Sequence, residues 1–275
     1  MSNGLGTRVA TAVVLAPLAI ALVLWAPTWL FALVAGTAML IGLWEWTRLA
    51  RVPLRTGRAA VVAVAAALLS ALWWAGYPGA LVIAAAVGVA WWLVAMVWLR
   101  HFRFAAADTP ANRVLKCAAG ILIIVAGWAA LVHLHGGPLG PWWTLHALAL
   151  VWVADICAYF AGRAFGRRKL APNISPGKTW AGVWGAMLGA STLALLGGWL
   201  GFGVGGSMLA ALVLLAWVSV AVSIVGDLFE SLVKRHSQSK DSGSLLPGHG
   251  GMFDRIDSVL AAAPVFVTGK LLLGL

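Results

Sequence analysis

Nine stretches of nearly unbroken apolar residues run through the chain, each close to the length of about 20 residues that crosses a bilayer as a helix. They cover Val9–Ala26, Trp29–Trp46, Ala59–Ala75, Ala80–Leu99, Val114–Leu134, Trp142–Phe160, Trp180–Leu200, Ser207–Val225 and Ile256–Leu275. Of 275 residues, 62% are hydrophobic and 10% charged, where a soluble domain has roughly half and a quarter. A water-soluble core of this size cannot bury that excess. The runs are continuous rather than alternating, which excludes a β-barrel. Disordered, collagen-like and secreted disulfide chains are excluded by the same composition. The expectation is therefore an all-α polytopic membrane helix bundle of about nine transmembrane helices. The first run outlasts a signal-peptide core and a second span follows at once, so it reads as an uncleaved anchor. Pro17 and Pro264 mark places for kinks.

The net charge of +11 invites a nucleic-acid reading, but the placement of the charges argues otherwise. Arg8, Arg48, Arg51, Arg55, Arg58, Arg100, Arg103, Arg113, Lys116, Arg163, Arg167, Arg168, Lys169, Lys178, Lys234, Arg235, Lys240 and Arg255 all fall on one side of an alternating topology. That is 18 of 19 basic residues; only Lys270 lies near the other side. The positive-inside rule then expects a cytoplasmic N-terminus and an outside C-terminus. No nucleic acid is expected as a partner. The outer connections are too short to house a site, so function belongs to the bundle or its inner face. Cys117 and Cys157 lie in apolar runs without a CxxC pattern and read as packing residues.

The eight acids are more informative. Glu45 ends a span and Asp108 sits in a loop, while Asp155, Asp227, Glu230, Asp241, Asp254 and Asp257 fall in the second half. The expected division is a scaffold of helices over residues 1–135 and a catalytic membrane region over 136–275. Asp155 lies inside the sixth span, a little over two turns from Arg163. An intramembrane carboxylate is expensive unless paired or hydrated, so function is its default reading and pairing with an Arg the plain one.

After that span, Ile174-Ser175-Pro176-Gly177-Lys178-Thr179-Trp180 combines small residues, an ammonium and two hydroxyls at a helix start, an arrangement suited to an anion. It is not a Walker A loop. Further on, Asp227, Ser231 and Lys234 share one helical face with Glu230 at its border; a metal-and-phosphate site and a simple interfacial ion pair are both open here. Gly250 and Gly251 allow an anion-binding nest. Asp254 and Asp257 open the last helix, where the dipole favours acids. His249 has no second His or Cys for zinc. Asp227 and Asp254 offer oxygen alone, which suits a hard cation.

The segment Ser231-Leu-Val-Lys-Arg-His-Ser-Gln-Ser-Lys-Asp-Ser-Gly-Ser-Leu-Leu-Pro-Gly-His-Gly-Gly-Met-Phe-Asp-Arg-Ile-Asp257 resembles the signature of the phosphatidate cytidylyltransferases, or CDP-diacylglycerol synthases. Asp155-x-x-Ala-Tyr-Phe-x-Gly-Arg-x-Phe-Gly and Ile-Ser-Pro-Gly-Lys-Thr-Trp resemble the same family, so the likeness covers residues 150–275 with specific motifs. Ala181 departs from it, where relatives often carry Glu or Gln. The resemblance implies transfer of a cytidylyl group from CTP to phosphatidic acid, giving CDP-diacylglycerol and pyrophosphate. It implies Asp227 and Asp254 as ligands of Mg2+, for which Mn2+ substitutes, with room for a second, monovalent cation. It implies Ser175, Lys178, Thr179, Lys234, Arg235, Lys240 and Arg255 as phosphate contacts. Asp155, Ser231, Asp241, His249 and Asp257 are implied as supporting members. A bacterial cytoplasmic (inner) membrane with a cytoplasm-facing site meets both a lipid and a soluble anion, and a homodimer is compatible with the Gly- and Trp-rich first half. No Ser, Cys or His shows an activated-nucleophile pattern, so direct displacement is expected. The alternatives are transfer to another lipid phosphate, and a cation-coupled transporter using Asp155 and Asp227.

Overall fold

The structure, a computed structural model, describes residues 15–76, 78–243, 245 and 250–275. A short helix α1 (Leu15–Trp25) is followed by α2 (Thr28–Leu49), α3 (Arg55–Trp74), α4 (Pro78–Arg100), α5 (Pro110–Gly136) and α6 (Gly140–Phe165). A hairpin of β1 (Lys169–Ala171) and β2 (Ser175–Thr179) leads into α7 (Trp180–Leu196), α8 (Gly206–His236) and α9 (Phe253–Leu273). Eight of the helices are long and apolar enough to span a membrane, which makes this an integral membrane bundle. The beginning of the expected first span, residues 9–14, lies outside the described residues.

Local chemistry sets the helix ends. α5 starts at Pro110, ahead of the apolar run, because Thr109 accepts from the Asn112 N–H (3.2 Å) and Pro occupies a first-turn position whose N–H would be unsatisfied. α8 runs past Val225 to His236, and Lys234, Arg235 and His236 sit where the dipole favours cations. α7 ends in a π-helical turn, Gly197–Gly201. α9 continues through Pro264.

The core sits around α5 and α9. Trp46 of α2 and Phe253 of α9 lie 4.8 Å apart between ring centres, and Phe229 of α8 takes the edge of Trp98 at 5.3 Å. The buried Trp46 indole donates to the Lys116 carbonyl (2.7 Å). By contrast α3 buries only Ala65 and Leu69 and leaves most of its apolar surface outside the bundle.

α6 and α7 pack backbone to backbone. A Cβ on Gly185 would lie 2.5 Å from the Ala161 Cβ and 2.7 Å from the Cys157 carbonyl oxygen, and one on Gly189 would lie 2.7 Å from the Cys157 sulfur. Gly185 and Gly189 are four apart, so this is the small-residue seam by which membrane helices approach closely.

Hydrogen bonds gather the long, basic connections at one end. Arg51 Nη2 donates to the His236 carbonyl (2.7 Å), His236 Nε2 bonds the Phe102 carbonyl (2.6 Å), and Arg235 Nε donates to the Ile174 carbonyl (3.0 Å). At the opposite end His135 joins the Thr28 hydroxyl (3.1 Å) to the Val23 carbonyl (3.0 Å).

Candidate active site

The candidate groups gather at the basic end, where α6, α7, α8 and the hairpin enclose a cavity of about 440 Å³. Its wall is apolar along Ala154, Ala158, Val183, Ala186, Val220 and Ile224. Its floor carries Asp155, Arg163, Lys178, Thr179 and Asp227. Each side chain is placed by its element. Thr179 ends β2 and caps α7 by accepting from the Gly182 N–H (3.1 Å), which fixes the hairpin against the helix start. Lys178, one residue earlier, reaches across to Asp227 of α8 (2.6 Å). One turn further along α8, Ser231 donates to the other Asp227 oxygen (3.3 Å). Gly177 has open space where a side chain would stand.

Behind Asp227, oxygen atoms of Asp227, Glu230 and Asp257 come within 4.8 Å of one another. Glu230 is 1% exposed; one of its oxygens accepts from Lys234 (2.8 Å), while the other is buried and without a hydrogen-bond partner among the described residues. Lys234 bridges onward to Asp254 Oδ1 (2.8 Å). Asp254 Oδ2 takes the Ser242 N–H (3.0 Å) and the Gly251 N–H (2.8 Å). Gly250 has φ +83°, a backbone state that favours glycine, and a Cβ there would press on Asp254.

A connected run of charged groups results, Lys178, Asp227, Glu230 with Asp257, Lys234 and Asp254, with Asp155 lining the same cavity as Lys178. Five carboxylates face two ammonium groups and the Arg163 guanidinium. Burying charge is tolerable only when it is compensated, so this excess of negative charge and the orphaned Glu230 oxygen fit a hard divalent cation.

Sequence reasoning selected Asp155, Lys178, Thr179, Asp227, Ser231, Lys234, Gly250, Gly251, Asp254 and Asp257, and the structure brings them to this one line. Ser175 pairs with Ala171 in the hairpin and does not line the cavity. Arg235 turns its Nε to the Ile174 carbonyl and braces the hairpin. Lys240, Asp241 and Arg255 are exposed and do not line the cavity. His249 lies outside the described residues. Of the two acids singled out for a metal, Asp227 belongs to the tight oxygen cluster, and Asp254 is joined to that cluster through Lys234. Glu230 takes the place beside Asp227, a position its i+3 spacing had already put at the border of the polar face.

A model of the cytidylyltransferase family matches residues 6–271. A phosphatidate cytidylyltransferase of Pseudomonas aeruginosa is 42% identical over 260 residues, covering 94% of both chains. One of Haemophilus influenzae is 37% identical over 94% of this chain and 96% of its own. One of Bacillus subtilis is 40% identical over a shorter stretch, 43% of this chain and 44% of its own.

Proposed function

The chain belongs to the cytidylyltransferase family, and we propose that it carries out the phosphatidate cytidylyltransferase reaction by direct, metal-assisted displacement at the cytoplasmic face of a bacterial inner membrane. CTP and phosphatidic acid give CDP-diacylglycerol and pyrophosphate, a nucleotidyl transfer of phospholipid biosynthesis. The observation that carries the reading is the cavity between α6, α7 and α8: apolar walls above a floor of Lys178, Thr179, Asp155 and Asp227. Acyl chains suit the walls. The phosphates suit the floor and the basic end of the bundle.

The phosphatidate monoester is largely doubly ionised near neutral pH, its second pKa being about 6. One of its oxygens attacks the α-phosphorus of CTP, a new P–O–P bond forms, and the bond to the β-phosphate breaks with pyrophosphate carrying away the electron pair. Such a transfer needs positioning and charge neutralisation rather than covalent help. Lys178 and Lys234 supply positive charge on either side of Asp227. Thr179 and the open backbone at Gly177 allow close approach of an anion. Asp227, Glu230 and Asp257 would hold Mg2+ or Mn2+, with Asp254 joined through Lys234 and room for a second, monovalent cation. Bound there, the divalent ion would neutralise charge on the reacting and departing phosphates.

Labelled CTP incubated with phosphatidate and membranes from an overexpressing strain tests this. Labelled CDP-diacylglycerol should form only with the divalent ion, and Asp227→Asn should reduce turnover by about two orders of magnitude or more while the protein still inserts. Undiminished activity in a chelator, or in Asp227→Asn, would remove the metal from the reading. Transfer to another lipid phosphate in preference would redirect the substrate.

A further inference from the structure

Glu45 lies in the last two turns of α2, in the half of the chain that reads as scaffold, and is 5% exposed. A carboxylate buried there needs donors. It finds them far along the chain: Ser242 Oγ (3.1 Å) and the Phe253 N–H (2.9 Å) both donate to Glu45 Oε2. Ser242 belongs to the loop between α8 and α9, and Phe253 opens α9. The socket is shaped for the carboxylate, since a Cβ on Gly243 or Gly251 would run into it.

Ser242 passes this hold to the charged line. Its N–H donates to Asp254 Oδ2 (3.0 Å), and its hydroxyl oxygen accepts from the Asp254 N–H (3.3 Å). Asp254 then holds Lys234, and Lys234 holds Glu230. We infer that Glu45 is a positioning residue for the transfer reaction, holding residues 241–243 and 250–252 and the first turn of α9 so that Asp254 and Lys234 stand correctly beside Asp227. It touches none of the groups assigned to the substrates. What it supplies is a hydrogen-bond acceptor at one point in space, and its charge is secondary. The inference rests on residues 227–257 forming the active site.

The test compares Glu45→Ala, Glu45→Gln, Ser242→Ala and Asp254→Asn in the full-length protein, purified in detergent, with kcat and KM measured for CTP and phosphatidate. Glu45→Ala should lower kcat by about tenfold or more with KM shifted less than about threefold, the pattern of an interaction lost in the transition state alone. Hydrogen exchange should rise over residues 241–243 and 250–253 and stay low in α5. Glu45→Gln, whose amide oxygen still accepts both bonds, should keep at least about a third of kcat. Ser242→Ala removes the same link from the loop side and should fall with Glu45→Ala; it decides the matter if Glu45→Ala does not insert. The inference is overturned if Glu45→Ala and Ser242→Ala stay within about twofold of the parent while Asp254→Asn is inactive. It is equally overturned if Glu45→Gln loses as much as Glu45→Ala, since charge rather than position would then matter. Full activity of Asp254→Asn would instead refute the reading of residues 227–257 as the site.

Discussion

Replacing Gly185 by Ala puts one methyl group into the α6–α7 seam. Its Cβ would meet the Ala161 Cβ at 2.5 Å and the Cys157 carbonyl oxygen at 2.7 Å. Carbon atoms in good contact sit about 3.5–4.0 Å apart, so the helices must part by about 1 Å, and the backbone oxygen cannot rotate away. Overpacking costs about 1–3 kcal/mol; with two contacts that cannot rotate away this site falls in the upper part, about 2–3 kcal/mol, partly offset by the helix propensity of Ala over Gly, about 1 kcal/mol. The expected net loss is about 1–2 kcal/mol, or roughly 2–6 °C in Tm for a chain of this size. Gly189→Ala should lose less, because its nearest neighbour is the end of the Cys157 side chain, which can turn. Ala161→Gly removes the closer of the two Gly185 contacts. The double variant Ala161→Gly with Gly185→Ala should therefore be more stable than the sum of its single changes. Thermal unfolding in detergent, followed by tryptophan fluorescence, gives all four values. A Gly185→Ala protein as stable as the parent, or a double variant showing no favourable coupling, would refute the packing argument.

Two further predictions concern sidedness and mechanism. With Cys117 and Cys157 replaced by Ala, a cysteine at Gly137 should react with an impermeant thiol reagent from outside intact cells, and one at Gly177 only after the membrane is opened; the reverse pattern would invert the topology drawn from the basic residues. Delipidated enzyme given Mg2+, CTP and labelled pyrophosphate, with both lipids omitted, should place no label in CTP, because direct displacement forms no cytidylyl-enzyme; robust exchange would demand a covalent step.

The spans were legible because an apolar run of bilayer length has few other fates. Their ends were less so. The expected eighth span stops at Val225, where hydrophobicity falls, yet the helix continues because the Asp227, Ser231 and Lys234 face is itself helical. The small hairpin at 169–179 carries too few residues to show a period. In the site, Asp227, Lys178, Lys234 and Asp254 stood out by type and spacing. Glu45 did not, although it is an acid at the end of an apolar run, since nothing local announces partners in the α8–α9 loop. Glu230 was seen only as bordering the polar face, because helical spacing ranks it behind Asp227 and Ser231 and says nothing of Asp257 from the next helix.

The bond between Glu45 and the Phe253 amide spans 208 residues of sequence, and this has a consequence for how the protein is made. Chains emerge from the ribosome N-terminus first at about 5–20 residues per second, so α2 enters the membrane roughly 10–40 s before α9 exists to receive its carboxylate. Throughout that interval Glu45 has neither of its donors, and its position near the end of α2 lets water at the membrane surface stand in for them. Only the entry of α9 displaces that water and closes the socket. Maturation of the enzyme is thus tied to the arrival of α9: a nascent chain halted ahead of α9 keeps an unsatisfied acid at the bundle's edge.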